Sequence, residues 1–147
     1  MRAVIQRVLS ASVSVEGEVV GKIDRGLVAF VGAEGPDTDA DMTWIVGKIV
    51  GLRVFQDETG RMARSLADVG GSLLFITQFT LFGDVKKGNR PSFTRAMPPD
   101  LAAPFLERAV ALARASVPVE TGRFGADMKV LVENDGPVTI LVDSRAP

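Results

Sequence analysis

The 147-residue chain contains no cysteine and no histidine. The first absence excludes a disulfide framework, a thiolate nucleophile and any zinc site built on cysteine. The second removes the Ser-His-Asp triad, the Cys-His pair, the histidine-bearing zinc motifs and the commonest general base at neutral pH. Any catalysis must therefore draw on carboxylates, hydroxyls, lysine, main-chain groups, a metal held by carboxylates alone, or the chemistry of the substrate itself. Long apolar runs are also missing. The best, Leu27 to Val31 and Leu73 to Ile76, fall far short of the roughly 20 residues that cross a bilayer. The apolar start, Met1 to Val8, is broken at once by Gln6 and Arg7, which does not fit a secretory signal. No membrane partner and a cytoplasmic location are expected. A Walker-type loop, a GxGxxG opening a helix and an internal repeat are absent too, so nucleotide-dependent chemistry has no support, and no cofactor is expected.

What remains is ordinary in bulk: 46% hydrophobic, 24% charged and 6% aromatic residues, with a formal net charge of −1. That balance gives no global attraction to nucleic acid. The length suits one hydrophobic core, and residues 1–147 are expected to form one domain. From Ala3 to Val15 the pattern is β-branched and partly alternating. Glu16-Gly17-Glu18 and then Val19, Val20 and Ile23 complete an expected β-hairpin. A further strand is expected over Leu27 to Val31. Acidic N-cap candidates in Gly35 to Asp39 precede Met42, Ile45, Val46 and Ile49, whose spacing predicts an amphipathic helix. Strands are expected over Leu52 to Phe55 and Ser72 to Thr77. A second helix is expected from Leu101, Phe105, Ala109 and Leu112, with Pro104 in or near its first turn. Two strands, Met128 to Val132 and Val138 to Val142, follow a stretch from Val119 that carries no decisive pattern. Helices this few and scattered do not make a doubly wound sheet. The expected class is α+β, a mainly antiparallel, barrel-like sheet with two main helices.

Three segments invite chemistry, and each has a plain alternative. Thr77-Gln78-Phe79-Thr80 ends a buried strand, where its hydroxyls and amide would equally serve nearby main-chain groups. Asn134-Asp135-Gly136-Pro137 would equally be a hairpin turn in which glycine supplies an unusual φ and proline opens the next strand. A functional role there requires a cis Gly136–Pro137 bond, found at only about 5–6% of X–Pro bonds. Lys86, Lys87, Arg90 and Arg95 form a local basic run with Asp84 as the only acid among them, which would equally be a solvated loop.

Taken together and in order, Gln6-Arg7-Val8, Gly71-Ser72-Leu73 leading to Thr77-Gln78-Phe79-Thr80-Leu81, Gly88-Asn89-Arg90-Pro91-Ser92-Phe93, Thr121-Gly122-Arg123-Phe124, Ala126-Asp127-Met128 and Asn134-Asp135-Gly136-Pro137-Val138-Thr139 resemble the D-aminoacyl-tRNA deacylase family. The likeness runs over essentially the whole chain. Thr77 stands where the family usually has serine and keeps the hydroxyl. Ala63 stands where the family often has asparagine, and removes a polar side chain.

The resemblance implies hydrolysis of the ester between tRNA and a D-amino acid or glycine, by a homodimer with two sites at its interface and aminoacyl-tRNA as its partner. It implies that Gly136 and Pro137 project into the partner subunit's site, where their carbonyls exclude the side chain of an L-amino acid. Arg7 matches the position that helps hold this motif; its alternative is a surface arginine on a strand. Thr77 would contribute to substrate binding. Phe79 and Thr80, with Gln78, would form the catalytic segment through main-chain N–H groups that meet the developing oxyanion. A threonine hydroxyl without a base is a poor nucleophile, which favours assistance by the neighbouring ribose hydroxyl of the tRNA and requires no metal. Lys86, Lys87 and Arg90 become candidates for acceptor-stem phosphates. The competing possibilities are a non-catalytic RNA-binding or dimerisation module, in which Gly136-Pro137 is a plain turn and Thr80 is structural, and a hydrolase of another small ester.

Overall fold

In a computed structural model that describes residues 1–147, the chain begins with a 14-residue strand, β1 (Arg2–Val15), that works as two halves. Its C-terminal half pairs antiparallel with β2 (Glu18–Ile23) through a tight turn in which Glu16 and Gly17 both have positive φ, 51° and 79°. Its N-terminal half pairs antiparallel with β3 (Gly26–Gly32). Helix α1 (Asp39–Gly51) follows, then the short hairpin β4 (Phe55–Gln56) and β5 (Met62–Arg64), β6 (Ser72–Thr77), a 3-10 turn at Phe79–Phe82, α2 (Pro99–Arg114), β7 (Val119–Thr121) and β8 (Lys129–Asp143). The main sheet runs β2-β1-β3-β6-β7, with β8 on the other edge of β1. The β3–β6 and β6–β7 pairs are parallel and the rest antiparallel. β2 also lies against β6 and β7 without bonding to them, so the sheet curls into a nearly closed barrel.

Alternation along the strands explains why both faces are filled. In β3, Leu27, Ala29 and Val31 join the core under the helices, whereas Val28 packs into the smaller core inside the curl. In β6, Leu73 and Phe75 face the helices, and Leu74 and Ile76 face inward. Burial on both faces is why these strands read as near-continuous apolar runs rather than alternating ones. β1 changes sides along its length: Ala3 and Ile5 belong to the helix-side core, Val8, Ala11 and Val13 to the inner one. The change coincides with the register shift between Val8 and Ser10 opposite β8, since one extra residue reverses which face a side chain takes.

The helices agree with expectation in place and differ in detail. Met42, Ile45, Val46 and Ile49 are the buried stripe of α1. Its N-cap is Thr38 rather than an acid; the Asp41 carboxylate accepts the Thr38 N–H at 2.9 Å. In α2 the buried face is Ala102, Phe105, Leu106, Ala109, Val110 and Ala113, while Leu101 and Leu112 are 58% and 41% exposed. Three alanines share this face with Phe105, Leu106 and Val110, and Leu101 and Leu112 lie off it. Pro104 is the sixth helical residue, in the second turn rather than the first. Of the strand expected over Leu52 to Phe55, only Phe55 is in a strand.

The largest correction concerns the C-terminal strands. Met128 to Val132 and Val138 to Val142 are not two arms of a hairpin, because from Lys129 onward both run antiparallel to β1 within the single strand β8. Gln6 pairs with Thr139 and Val8 with Asn134, so Asp135 to Val138 are extra residues opposite Arg7 and stand out as a bulge. No helix is long and apolar enough to cross a membrane.

Candidate active site

β6 delivers Thr77 to the rim of the barrel, and the ladder continues one step further through Gln78 N–H to Val31 O at 2.8 Å. This brings the Gln78 carbonyl so close to β3 that a Cβ on Gly32 would lie 2.7 Å from it. Only glycine fits there without displacing the segment. The chain then turns into the 3-10 element, whose first residues are Phe79 and Thr80. The leading N–H groups of a helical turn have no partner within it, so those of Phe79 and Thr80 are its available donors. The Gln78 amide donates to the Thr80 hydroxyl, and that hydroxyl has no basic partner.

Above this segment opens a cavity of about 750 Å³. Thr77, Gln78 and Phe79 line one side, and Phe93, Met97 and Phe124 are among the residues opposite. Phe79 is 58% exposed and meets Phe93 edge to face, with ring centroids 5.1 Å apart. Asp127 is the only ionisable residue in the lining, and its side chain pairs with Lys129 at 3.0 Å. The cavity is thus mostly apolar and aromatic, with amide and hydroxyl groups at one end. Such a surface suits a flat heterocycle beside a polar reacting group.

Arg7 is elsewhere and is not a surface arginine. It is 8% exposed, and its guanidinium donates from Nε to Asp135 O at 3.0 Å and from Nη1 to Val54 O at 2.6 Å. The Asp135 carboxylate adds an ion pair at 3.5 Å. Asn134 clamps the other end of the bulge: Val138 N–H donates to its Oδ1 at 2.8 Å, and its Nδ2 donates to Val138 O at 3.1 Å. Between these anchors, Gly136 and Pro137 are exposed, and the peptide bond joining them is cis. Neither residue lines the cavity of its own chain. The structure therefore gathers Thr77, Gln78 and Phe79, with Thr80 beside them, in one place, and Arg7, Gly136 and Pro137 in another.

Lys86, Lys87 and Arg90 lie exposed on a loop closed by paired main-chain bonds between Asp84 and Ser92 at 2.8 and 2.9 Å. Phe93 follows that closure directly and packs on Phe79, which ties the basic loop to the cavity wall. The sequence reasoning assigned no role to Phe93, Met97, Phe124 or Asn134. The available signal was a pair of phenylalanines in polar, aperiodic segments, where no helix or strand face accounts for them.

An α+β barrel-like protein with a mostly apolar, aromatic cavity beside the Thr77 to Thr80 segment is what fold and geometry define. The family model described as D-Tyr-tRNA(Tyr) deacylase matches residues 4–143. A D-aminoacyl-tRNA deacylase of Sorangium cellulosum is 61% identical over 147 residues, covering 99% of this chain and 98% of that protein. One of Desulfitobacterium hafniense is 54% identical over 146 residues with the same coverage. Among solved structures, one described as c-Myc DNA Unwinding Element Binding Protein superposes with a TM-score of 0.93 at 41% identity, covering 97% of this chain and 98% of the other. A probable eukaryotic D-amino acid tRNA deacylase superposes at 0.84 with 19% identity, covering 96% and 97%, and shares the fold. The chain belongs to the D-aminoacyl-tRNA deacylase family.

Proposed function

We propose that the chain hydrolyses the ester joining a D-amino acid, or glycine, to the terminal adenosine of tRNA, and that main-chain groups do most of the work. The observation that carries this is the Thr77 to Thr80 segment opening into the aromatic cavity with no side-chain base on the Thr80 hydroxyl. The adenosine occupies the aromatic walls, and the ester carbonyl meets the Phe79 and Thr80 N–H groups. Water adds to the carbonyl carbon, the charge on its oxygen is held by those donors, and the ester C–O bond breaks as the ribose oxygen takes up a proton. The vicinal ribose hydroxyl orients that water and relays the proton. An activated ester needs little beyond positioning and oxyanion donors.

Selection falls to Gly136 and Pro137 of a partner subunit. Their exposure, their anchoring by Arg7 and Asn134, and their absence from their own chain's cavity all support a target on a second copy. So does β8, which bonds only β1 and leaves Leu131 and Leu141 75% and 76% exposed. Rigid carbonyls facing the α-carbon reject an L side chain whatever its chemistry. Lys86, Lys87 and Arg90 contact phosphates of the acceptor stem, and the setting is the cytoplasm, where charged tRNA is used. A nucleic-acid-binding role without catalysis is favoured only by the likeness to the c-Myc DNA Unwinding Element Binding Protein.

One assay separates the alternatives: release of amino acid from matched D- and L-aminoacyl-tRNA by the purified chain. Rapid cleavage of the D-form with the L-form spared is expected. Equal rates would remove the selection mechanism, and no cleavage of either would leave a binding module.

A further inference from the structure

A second cavity, of about 390 Å³, lies between α2 and the ends of β6 and β7. It shares Thr77, Leu106 and Phe124 with the larger one, so the two cavities adjoin. The chemistry of the two differs. The larger cavity has Asp127 as its one ionisable residue, whereas the smaller adds Glu107 and Arg114 from α2 and the Thr121 hydroxyl. Glu107 and Arg114 are seven positions apart, two helical turns, and therefore share a face about 10 Å apart along the axis. That separation lets a carboxylate and a guanidinium approach opposite ends of one planar base.

Both groups have bonding capacity to spare. Glu107 stands outside the ion pairs, its neighbour Arg108 pairing with Asp39 instead. Arg114 donates a 3.3 Å bond from Nη2 to Val119 O, which leaves most of its five donors free. The Phe124 ring between the cavities is 44% exposed and offers a stacking face.

We propose that this smaller cavity is a subsite for the pyrimidine base of the nucleotide preceding the terminal adenosine, which is cytidine in tRNA. Cytosine presents an exocyclic amine that donates to the Glu107 carboxylate, and a ring nitrogen and carbonyl that accept from Arg114. Reading the Watson–Crick edge of an unpaired base while an aromatic ring covers its face is the common way proteins recognise single-stranded RNA. Uracil has a carbonyl where cytosine has the amine, and would set an acceptor against a carboxylate. The subsite rests on aminoacyl-tRNA being the substrate.

The test compares kcat/KM for D-aminoacyl esters of adenosine, of cytidylyl-adenosine, of uridylyl-adenosine and of an abasic ribose-phosphate adenosine. The cytidylyl ester is expected to exceed the adenosine ester about tenfold, and the uridylyl and abasic esters to fall well short of it. In Arg114→Ala the cytidylyl-to-adenosine ratio should approach one, and in Glu107→Gln the preference for cytidine over uridine should disappear, because an amide serves either base. Both side chains are exposed on a helix surface, and unchanged melting temperatures would confirm intact folding. A ratio near one in the wild-type protein overturns the proposal. So does an equal gain from the cytidylyl, uridylyl and abasic esters, which would assign the gain to phosphate. If the adenosine ester and D-aminoacyl-tRNA are both left intact, the deacylase reading itself fails and the subsite falls with it.

Discussion

Two main-chain devices on this molecule are built in opposite ways. The Thr77 to Thr80 segment is the continuation of a strand buried on both faces, held by the parallel ladder to β3 and fitted against Gly32. The Asp135 to Val138 bulge stands out from the edge strand β8 and is held by two side chains, Arg7 and Asn134. One is a part of the core that surfaces; the other is a surface part pinned to the core. The first borders the cavity of its own chain, and the second does not. The contrast teaches that the two segments are held independently, so the reaction proposed for the first and the selection proposed for the second should be separable by mutation.

The largest effect is expected from Arg7→Ala, which leaves the Val54 and Asp135 carbonyls without their charged donor. Hydrogen bonds to charged groups contribute about 1.5–3 kcal/mol each, so urea denaturation should show a loss of about 3 kcal/mol, with L-aminoacyl-tRNA becoming a substrate. An unchanged denaturation midpoint would mean that the bulge is not held from below. Next is Gly32→Ala, whose methyl would press on the Gln78 carbonyl from 2.7 Å. Displacing a catalytic segment by about 1 Å can cost about a hundredfold in rate, and the D-over-L preference should survive that loss. Were preference and rate to fall together, the two devices would not be separable.

Gly136→Ala should do the reverse. Gly136 has φ of 139°, and its Cβ would sit 2.8 Å from Val138 Cγ2 and 2.9 Å from Val138 N. Backbone strain of about 1–3 kcal/mol should reshape the exposed bulge, reduce the D-to-L rate ratio about tenfold and lower the melting temperature by several degrees. Thr80→Ala should matter less, reducing D-specific deacylation by under roughly tenfold, because its hydroxyl has no base and the main-chain donors remain. Mass-spectrometric capture of an aminoacyl ester on Thr80 would contradict this.

The smallest effect concerns neither device. The Asp41 carboxyl is held below its ordinary value of 3.8, first by the Thr38 N–H, then against some desolvation by Ser144, Thr38 and Arg145. A depressed folded-state value means that its contribution is present above the unfolded value, near pH 4, and is lost as pH falls through the folded one. Asp41→Asn should therefore lower the melting temperature slightly at neutral pH and by a vanishing amount at pH 2. A deficit that grows on acidification would reverse the sign.

Much of this architecture was legible from periodicity. The stripe Met42, Ile45, Val46, Ile49 and the paired apolar runs of β3 and β6 are strong local signals, and the structure follows them. The α2 stripe was right at Phe105 and Ala109 and wrong at Leu101 and Leu112, because hydrophobicity ranks leucine above alanine while the buried face takes Ala102 and Ala113 beside Leu106 and Val110. The bulge was misread for a related reason. Turn residues between two apolar runs look alike whether the chain reverses or only steps aside, and the pairing with β1 that decides between them lies more than a hundred residues away. Motif order pointed to Thr77 through Thr80 as a unit, while the aromatic wall from Phe93 and Phe124 required the fold, since nothing local joins those segments.

Sites built from peptide groups age differently from sites built from side chains. Most single substitutions leave an N–H or a C=O where it was, so the oxyanion donors proposed at Phe79 and Thr80 and the selecting carbonyls proposed at Gly136 and Pro137 offer evolution few atoms to delete. The vulnerable positions are those where added atoms bend the chain, foremost Gly32 and Gly136. A protein made this way can drift widely in sequence while its working parts are inherited as a path of the main chain.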